Sequence, residues 1–148
     1  MKARILGCLA AMIFAAPAIA DTFNTIDMDA DFEDVVFNVE IAVTNRGLVI
    51  DDISYVGAML ERTREDMGSD TELFTDARIF SFCSASLSRD VMEARIENIK
   101  FCPYNIYIYQ RAEPGAPISV GYWMHEEPTM QTINALMEDI VTEAAAMD

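Results

Sequence analysis

The chain has 148 residues, with 25 acidic and 10 basic side chains and a net charge of −15 at pH 7. A chain this acidic repels the phosphates of nucleic acids and the headgroups of anionic lipids, so nucleic-acid binding is excluded. The length is sufficient for a domain with its own apolar core.

The N-terminus has the three parts of a secretory signal peptide. Lys2 and Arg4 are its only charges, residues 5–16 are apolar, and an Ala-Ile-Ala step ends at Ala20. The apolar run is shorter than the roughly 20 residues that a transmembrane helix needs, whereas small residues at this spacing are what signal peptidase recognises. We therefore expect cleavage between Ala20 and Asp21.

Removal of residues 1–20 leaves residues 21–148, which we expect to form a single domain. This part carries 8 basic and 25 acidic side chains, a net charge of −17. None of its stretches is apolar enough to predict a membrane span. The expected location is a bacterial periplasm, or the medium if the protein is fully secreted.

The first half of this domain alternates strands with helices. Residues 22–26 form a predicted strand, and apolar residues then recur at helical spacing over residues 32–43 until Gly47 ends the helix. Residues 48–56 are rich in β-branched side chains and predict a second strand. Residues 58–65 predict a short helix.

The second half begins with a strand over residues 77–83, which leads into a helix that either Ser84 or Ser86 caps. The remaining predicted elements are strands over residues 104–110 and 118–123 and a helix over residues 130–144. The order β-α-β-β-α-β-β-α, with a short extra helix after the second strand, predicts a two-layer α+β fold. Its sheet is mixed or antiparallel, with the helices packed on one face.

Four segments carry a family resemblance: NRGLVI at 45–50, ARIFSFCS at 77–84, PYNIYIY at 103–109 and VGY at 120–122. In this order and pattern they resemble the bacterial family called domain of unknown function 302 (DUF302), over nearly all of residues 22–145. The resemblance implies a compact α+β fold and a homodimer, and it implies no activity. Relatives carry a Gly-Asn-Pro-like turn after the third strand, where this chain has Cys83-Ser84-Ala85, so it resembles an exported, cysteine-containing branch.

Two cysteines, Cys83 and Cys102, remain once Cys8 is removed with the signal peptide. Exported proteins with an even cysteine count most often pair them. A bond that closes roughly 18 intervening residues would stabilise the fold by about 3 kcal/mol. The pairing requires that the strands predicted over residues 77–83 and 104–110 run antiparallel. The end of the first strand then lies beside the start of the second.

The alternative makes Cys83 a reactive thiol. It lies where a strand ends and a helix begins, and a helix N-terminus lowers the pKa of a thiol. Cys102 would then be the resolving partner, although the surrounding acidic residues oppose thiolate formation. A thiol-redox or sulfur-handling protein is therefore a second hypothesis.

A third hypothesis is a soft-metal site. His125 is the only histidine, and with Met124, Cys83 and Cys102 it offers ligands that suit copper. The ordinary interpretation is a solvated loop histidine, with the ten methionines serving mainly as core fillers.

The hairpin is crowded with aromatic residues, which cross-strand packing or a dimer face explains before a ligand pocket does: Tyr104, Tyr107, Tyr109, Tyr122 and Trp123. Enzymatic signals are weak, because there is no nucleophile elbow, phosphate loop or dinucleotide fingerprint. We therefore expect a periplasmic binding or interaction domain, dimeric, without a required cofactor and with an unidentified ligand or partner.

Overall fold

The computed structural model describes residues 23–147. The predicted signal peptide over residues 1–20 and its cleavage site at Ala20 and Asp21 lie outside this range. Of the described helices, none is both long enough and apolar enough to cross a bilayer.

The described residues contain one five-stranded sheet in which every neighbouring pair is antiparallel. Its spatial order is β1-β5-β4-β3-β2. The strands are β1 (Phe23–Met28), β2 (Val49–Ser54), β3 (Phe74–Cys83), β4 (Tyr104–Arg111) and β5 (Ile118–Trp123). The predicted α+β class is therefore confirmed, with an antiparallel sheet.

The α-helices are α1 (Phe32–Thr44), α2 (Val56–Thr63), α3 (Ala85–Ala94) and α4 (Gln131–Ala145). Short polar side chains begin two of them. The carboxylate of Asp31 accepts a hydrogen bond from the main-chain N–H of Glu33 at α1, and the hydroxyl of Ser84, not that of Ser86, caps α3. Two 3₁₀ segments, Ile96–Phe101 and Pro128–Met130, are additions that helical periodicity did not predict.

The apolar core lies between one face of the sheet and helices α1 and α4, which also pack against each other. Alternate residues of the strands point into it, since side chains on a strand alternate between the two faces. Its fully buried side chains include Val35, Val39 and Val43 of α1, Ile133 and Ile140 of α4, and Phe80, Phe82, Ile106, Ile108, Ile118 and Val120 of the sheet.

Helix α2 has a different position from α1 and α4. Strand β2 pairs with β3 only from Ile79 onwards, and α2 packs against the part of β3 that β2 leaves free. Gly57 lies so close there that an added Cβ would be 2.6 Å from the main-chain nitrogen of Ala77. A glycine is therefore needed for this contact between helix and strand.

Candidate binding site

The two central strands β4 and β5 separate at one end. Their pairing runs from Gln110 opposite Ile118 to Tyr107 opposite Gly121 and does not continue beyond Tyr107 in the described residues. Strand β4 begins three residues earlier, where it pairs with β3, and β5 continues to Trp123, where it pairs with β1. The sheet therefore opens between the start of β4 and the end of β5, and we call this region the open end.

A cavity of about 330 Å³ lies at the open end. This volume is at the lower limit of the roughly 300–1,000 Å³ typical of small-molecule sites. The residues that line it carry aromatic rings, two thioethers, an imidazole, an amide and one ammonium group, and none of them is a carboxylate. They are Lys100, Phe101, Pro103, Tyr104, Asn105, Tyr107, Trp123, Met124, His125 and Met137.

The aromatic wall of the cavity extends across β5 to β1. The ring of Phe23 lies 5.4 Å from that of Tyr107 and 5.1 Å from that of Trp123. Gly121 makes this arrangement possible, because a Cβ there would be 2.9 Å from the ring of Phe23 and 2.5 Å from the carbonyl oxygen of Asn24. Burial raises the pKa of Tyr107, and a hydrogen bond with the indole of Trp123 acts in the opposite direction.

His125 is fixed through its main chain. Its N–H donates to Oδ1 of Asn134 at 2.9 Å, and its carbonyl accepts from Nδ2 of Asn134 at 2.8 Å. The side chain of Asn134 is buried on α4, so α4 positions the segment that follows β5. The imidazole ring packs against the ring of Phe101, with the centroids 4.3 Å apart and the planes tilted by 43°.

Burial favours the neutral form of the His125 imidazole. Burial lowers its pKa below the ordinary value of 6.5, because a charged ring loses hydration in this environment. Within residues 23–147, neither ring nitrogen has a hydrogen-bond partner. The half-buried ring therefore presents free nitrogens at the cavity.

Lys100 joins the two sides of the cavity mouth. Its Nζ lies 2.9 Å from Oε1 of Glu127 and 4.5 Å from the centroid of the Phe101 ring. The hydrogen bond from Lys100 lowers the pKa of Glu127. Nearby, Nδ2 of the buried Asn98 donates to Oγ1 of Thr129 at 2.9 Å. These two contacts hold the first 3₁₀ segment against the start of the second.

Residues 24–147 match the family described as "Domain of unknown function DUF302". The chain belongs to the DUF302 family. The crystal structure of an uncharacterized conserved DUF302 protein from Bacillus stearothermophilus is similar to it, with a TM-score of 0.59 and 19% sequence identity over 86% of this chain and 95% of that one. At this identity the likeness shows the fold alone, and among curated proteins none matches the chain.

In this DUF302 protein, Cys83 and Cys102 form a disulfide, with their Cα atoms 6.6 Å apart. The geometric condition for the pairing is met, because β3 and β4 are antiparallel and Phe82 lies opposite Tyr104. Both cysteines are half-buried, and Cys83 directly precedes the N-cap residue Ser84. The bond closes the segment that carries α3 and the cavity-lining residue Phe101.

The four residues predicted as candidate metal ligands lie in two different places. Met124 and His125 line the cavity, whereas Cys83 and Cys102 are bonded to each other and do not line it. In the described part of the chain, no group of three or more His, Cys, Asp or Glu side chains could hold a metal ion. Met137 lines the cavity from α4, although its place in the helix pattern predicted only a core residue.

The aromatic residues of the hairpin are also divided, between the two faces of the sheet. Tyr104 and Tyr122 are buried on the core face, and the hydroxyl of Tyr104 lies 3.1 Å from that of Ser88. Tyr109 lies on the opposite face and packs at 5.9 Å against Phe74. Cross-strand packing explains Tyr109, while Tyr107 and Trp123 also line the cavity.

Proposed function

We propose that this DUF302 protein is an exported binding domain that takes a small, largely apolar ligand in the cavity at the open end. It acts in a bacterial periplasm as a homodimer, and its binding role requires no cofactor. The observation that carries the proposal is the cavity itself, which lies where two central strands stop pairing and where aromatic side chains converge with a few polar groups.

The lining indicates the chemistry of the ligand. The rings of Phe101, Tyr107 and Trp123 favour a flat apolar group that can stack against them. The amide of Asn105 and the ammonium of Lys100 offer hydrogen bonds at the cavity wall. A small aromatic molecule with one polar substituent fits this combination.

Trp123 supports a direct test, because it is the only tryptophan in the chain and it lines the cavity. Its emission is recorded while phenol, benzamide and benzyl alcohol are titrated into the mature protein. Binding in the cavity predicts a saturable change in emission for at least one of these probes. A change that stays linear in probe concentration for all three contradicts the proposal.

A matched pair of variants locates the binding. Met124 and Met59 have similar exposed fractions, 39% and 42%, but only Met124 lines the cavity. Met124→Glu places a carboxylate where the probe binds and weakens probe binding, because an apolar ligand would have to cover the charge. Met59→Glu on α2 leaves binding unchanged. Equal effects of the two variants would assign the signal to another place.

Export and assembly have their own tests. The intact mass of the protein from the periplasmic fraction is expected to correspond to a chain that begins at Asp21, and a chain that begins at Met1 would contradict export. Sedimentation equilibrium is expected to give twice the mass of the mature chain. A mass equal to one chain at all concentrations would contradict the homodimer.

A thiol-redox role is the second candidate, and the position of Cys83 favours it. The half-buried disulfide lies at the N-terminus of the ten-residue helix α3, where a released thiolate would be stabilised. Alkylation followed by intact-mass measurement separates the two roles. A redox pair takes up two labels after treatment with a mild dithiol, whereas a structural bond resists that treatment and opens only after unfolding.

A further inference from the structure

We propose that the same cavity binds a soft univalent metal ion, Cu(I), through the imidazole of His125 and the thioethers of Met124 and Met137. This inference goes beyond the proposed organic ligand and assigns a second class of ligand to the same cavity. All three side chains line one cavity, and they come from the segment after β5 and from α4.

The donor atoms are available to an ion. The nitrogens of the half-buried His125 ring have no hydrogen-bond partner within residues 23–147, and imidazole nitrogens are common metal ligands. Met137 is 2% exposed and forms the inner part of the site, while Met124 is 39% exposed and forms its outer part. An ion could therefore enter from solvent and meet a donor at each depth.

Helix α4 positions all three donors together. Asn134 holds both main-chain polar groups of His125, and Met137 lies three residues further along the same helix. Residues three apart on a helix lie on the same side, so the helix that supplies one thioether also fixes the loop that supplies the other two donors. The site is therefore pre-formed to the extent that α4 is rigid.

The chemistry of the lining selects the ion. Thioether and imidazole donors suit soft and borderline ions, whereas calcium, magnesium and manganese need oxygen donors, and no carboxylate lines this cavity. The two cysteines are bonded to each other, so their thiolates are not available in an oxidising compartment. Thioethers do not form disulfides, and the ammonium of Lys100, which also lines the cavity, is paired with the carboxylate of Glu127.

The test uses the mature protein with its disulfide intact, under anaerobic conditions and without thiol reductants. Cu(I) is supplied as its acetonitrile complex, and the protein competes with the chromophoric chelator bicinchoninate. We expect one ion per chain and a change in Trp123 emission that saturates at this ratio. Failure of the wild-type protein to remove Cu(I) from the chelator would overturn the inference.

Variants of similar shape identify the donors. Met124→Leu and Met137→Leu remove a sulfur but keep an apolar side chain, and His125→Phe keeps a ring against Phe101. Each is expected to weaken Cu(I) binding by at least about tenfold. Met59→Leu and Met67→Leu, at exposed positions outside the cavity, are the controls and leave the affinity unchanged. Equal affinities for wild type and Met124→Leu, a change at an exposed side chain, would overturn the site.

The metal inference and the proposed function can fail separately. Met124→Leu keeps the apolar wall, so it is expected to bind the aromatic probes while it loses affinity for Cu(I). If the wild-type protein binds the probes and takes up no Cu(I), the metal inference is wrong and the proposed function stands. If Cu(I) binds through these three residues and no probe binds, the metal inference stands and the proposal of an organic ligand is wrong.

Discussion

The two ends of the β4–β5 pair are built from the same two strands and differ in how far their side chains are buried. At the paired end, Ile108 lies opposite Val120, both side chains are fully buried, and α1 and α4 cover them. At the open end the pairing has stopped, and Trp123 and Met124 remain 48% and 39% exposed around a cavity. Apolar residues at the paired end are fully buried in the core, whereas Trp123 and Met124 at the open end leave a large part of their surface accessible.

The difference shows how a small antiparallel sheet can form a cavity where two neighbouring strands separate. Each strand at the open end keeps one partner, β3 for β4 and β1 for β5, so the separation does not leave either strand isolated. The Cys83–Cys102 disulfide and the ion pair of Lys100 with Glu127 join the segments around the gap.

The largest effect is expected at the paired end. Ile108→Ala removes a fully buried side chain and is expected to lower the free energy of unfolding by about 2–5 kcal/mol, because a cavity remains in the core. Urea denaturation measures this. Tyr107→Phe, the adjacent residue at the open end, is expected to cost about 1 kcal/mol or less, since it loses only the hydroxyl of a half-buried ring. Equal losses of unfolding free energy in the two variants would contradict the difference between the paired end and the open end.

The disulfide variant is expected to have the next largest effect. Replacing both cysteines, Cys83→Ser with Cys102→Ser, removes a link between residues 19 apart in sequence and is expected to lower the free energy of unfolding by about 3 kcal/mol. Urea denaturation of the double variant measures the loss, and wild type in reductant provides the control. Because the link closes the segment with Phe101, probe binding is also expected to weaken. Unchanged stability in both samples would contradict a structural role.

Gly121 tests the junction between the two ends. Gly121→Ala places a Cβ 2.5 Å from the main-chain oxygen of Asn24, so β1 must move, at a cost of about 1–3 kcal/mol in the free energy of unfolding. Ser119→Ala on the same face of β5 is the control and loses only an exposed hydrogen bond to Asp27. Thermal unfolding compares the two. Gly121→Ala is expected to have the lower midpoint, and the reverse order would contradict the need for a glycine at this position.

The smallest effect concerns an ion pair outside both ends. The guanidinium of Arg78 donates hydrogen bonds to Glu33 and lowers the pKa of that carboxyl below its ordinary value of 4.5. The unfolded chain therefore binds the proton more readily, so this stabilisation is present above pH 4.5 and is lost as the pH falls through the pKa of the folded state.

Glu33→Gln is expected to reduce the dependence of unfolding free energy on pH in this acidic range. Urea denaturation at a series of pH values around and below 4.5 measures it. The Arg78→Gln background is the control, because without the guanidinium Glu33→Gln should no longer change the slope. If Glu33→Gln still changes the slope in that background, the assignment to Arg78 is contradicted.

Much of the fold could be predicted from the sequence, since local patterns define it. The apolar spacing that ends at Gly47 predicted α1, and the alternation over β3 and β4 follows from one buried face. The 3₁₀ segment Ile96–Phe101 was missed because its six residues are too few to show a helical period. Asn98 holds that segment through hydrogen bonds to the main-chain oxygen of Val91 and to the distant Thr129, which helical periodicity does not reveal.

The candidate site could be predicted only in part. Met124 and His125 were noticed because of their chemistry. Met137 fits the apolar face of α4 whether or not that face borders a cavity. Tyr107 and Trp123 would occupy the same sequence positions in a hairpin whose strands paired along their whole length. The cavity exists because β4 and β5 stop pairing at Tyr107. The position at which they separate depends on contacts of these strands with β1, β3 and α4.

The most direct test of the central claim is amide chemical-shift mapping of the mature protein with phenol, benzamide or benzyl alcohol, the probe with the strongest Trp123 response. The shifted amides are expected to cluster at the open end, in residues 100–107 and 123–125, while those of the paired end, residues 108–110 and 118–120, stay in place. Shifts that cluster at the paired end, or that are spread evenly over the sheet, would contradict binding at the open end.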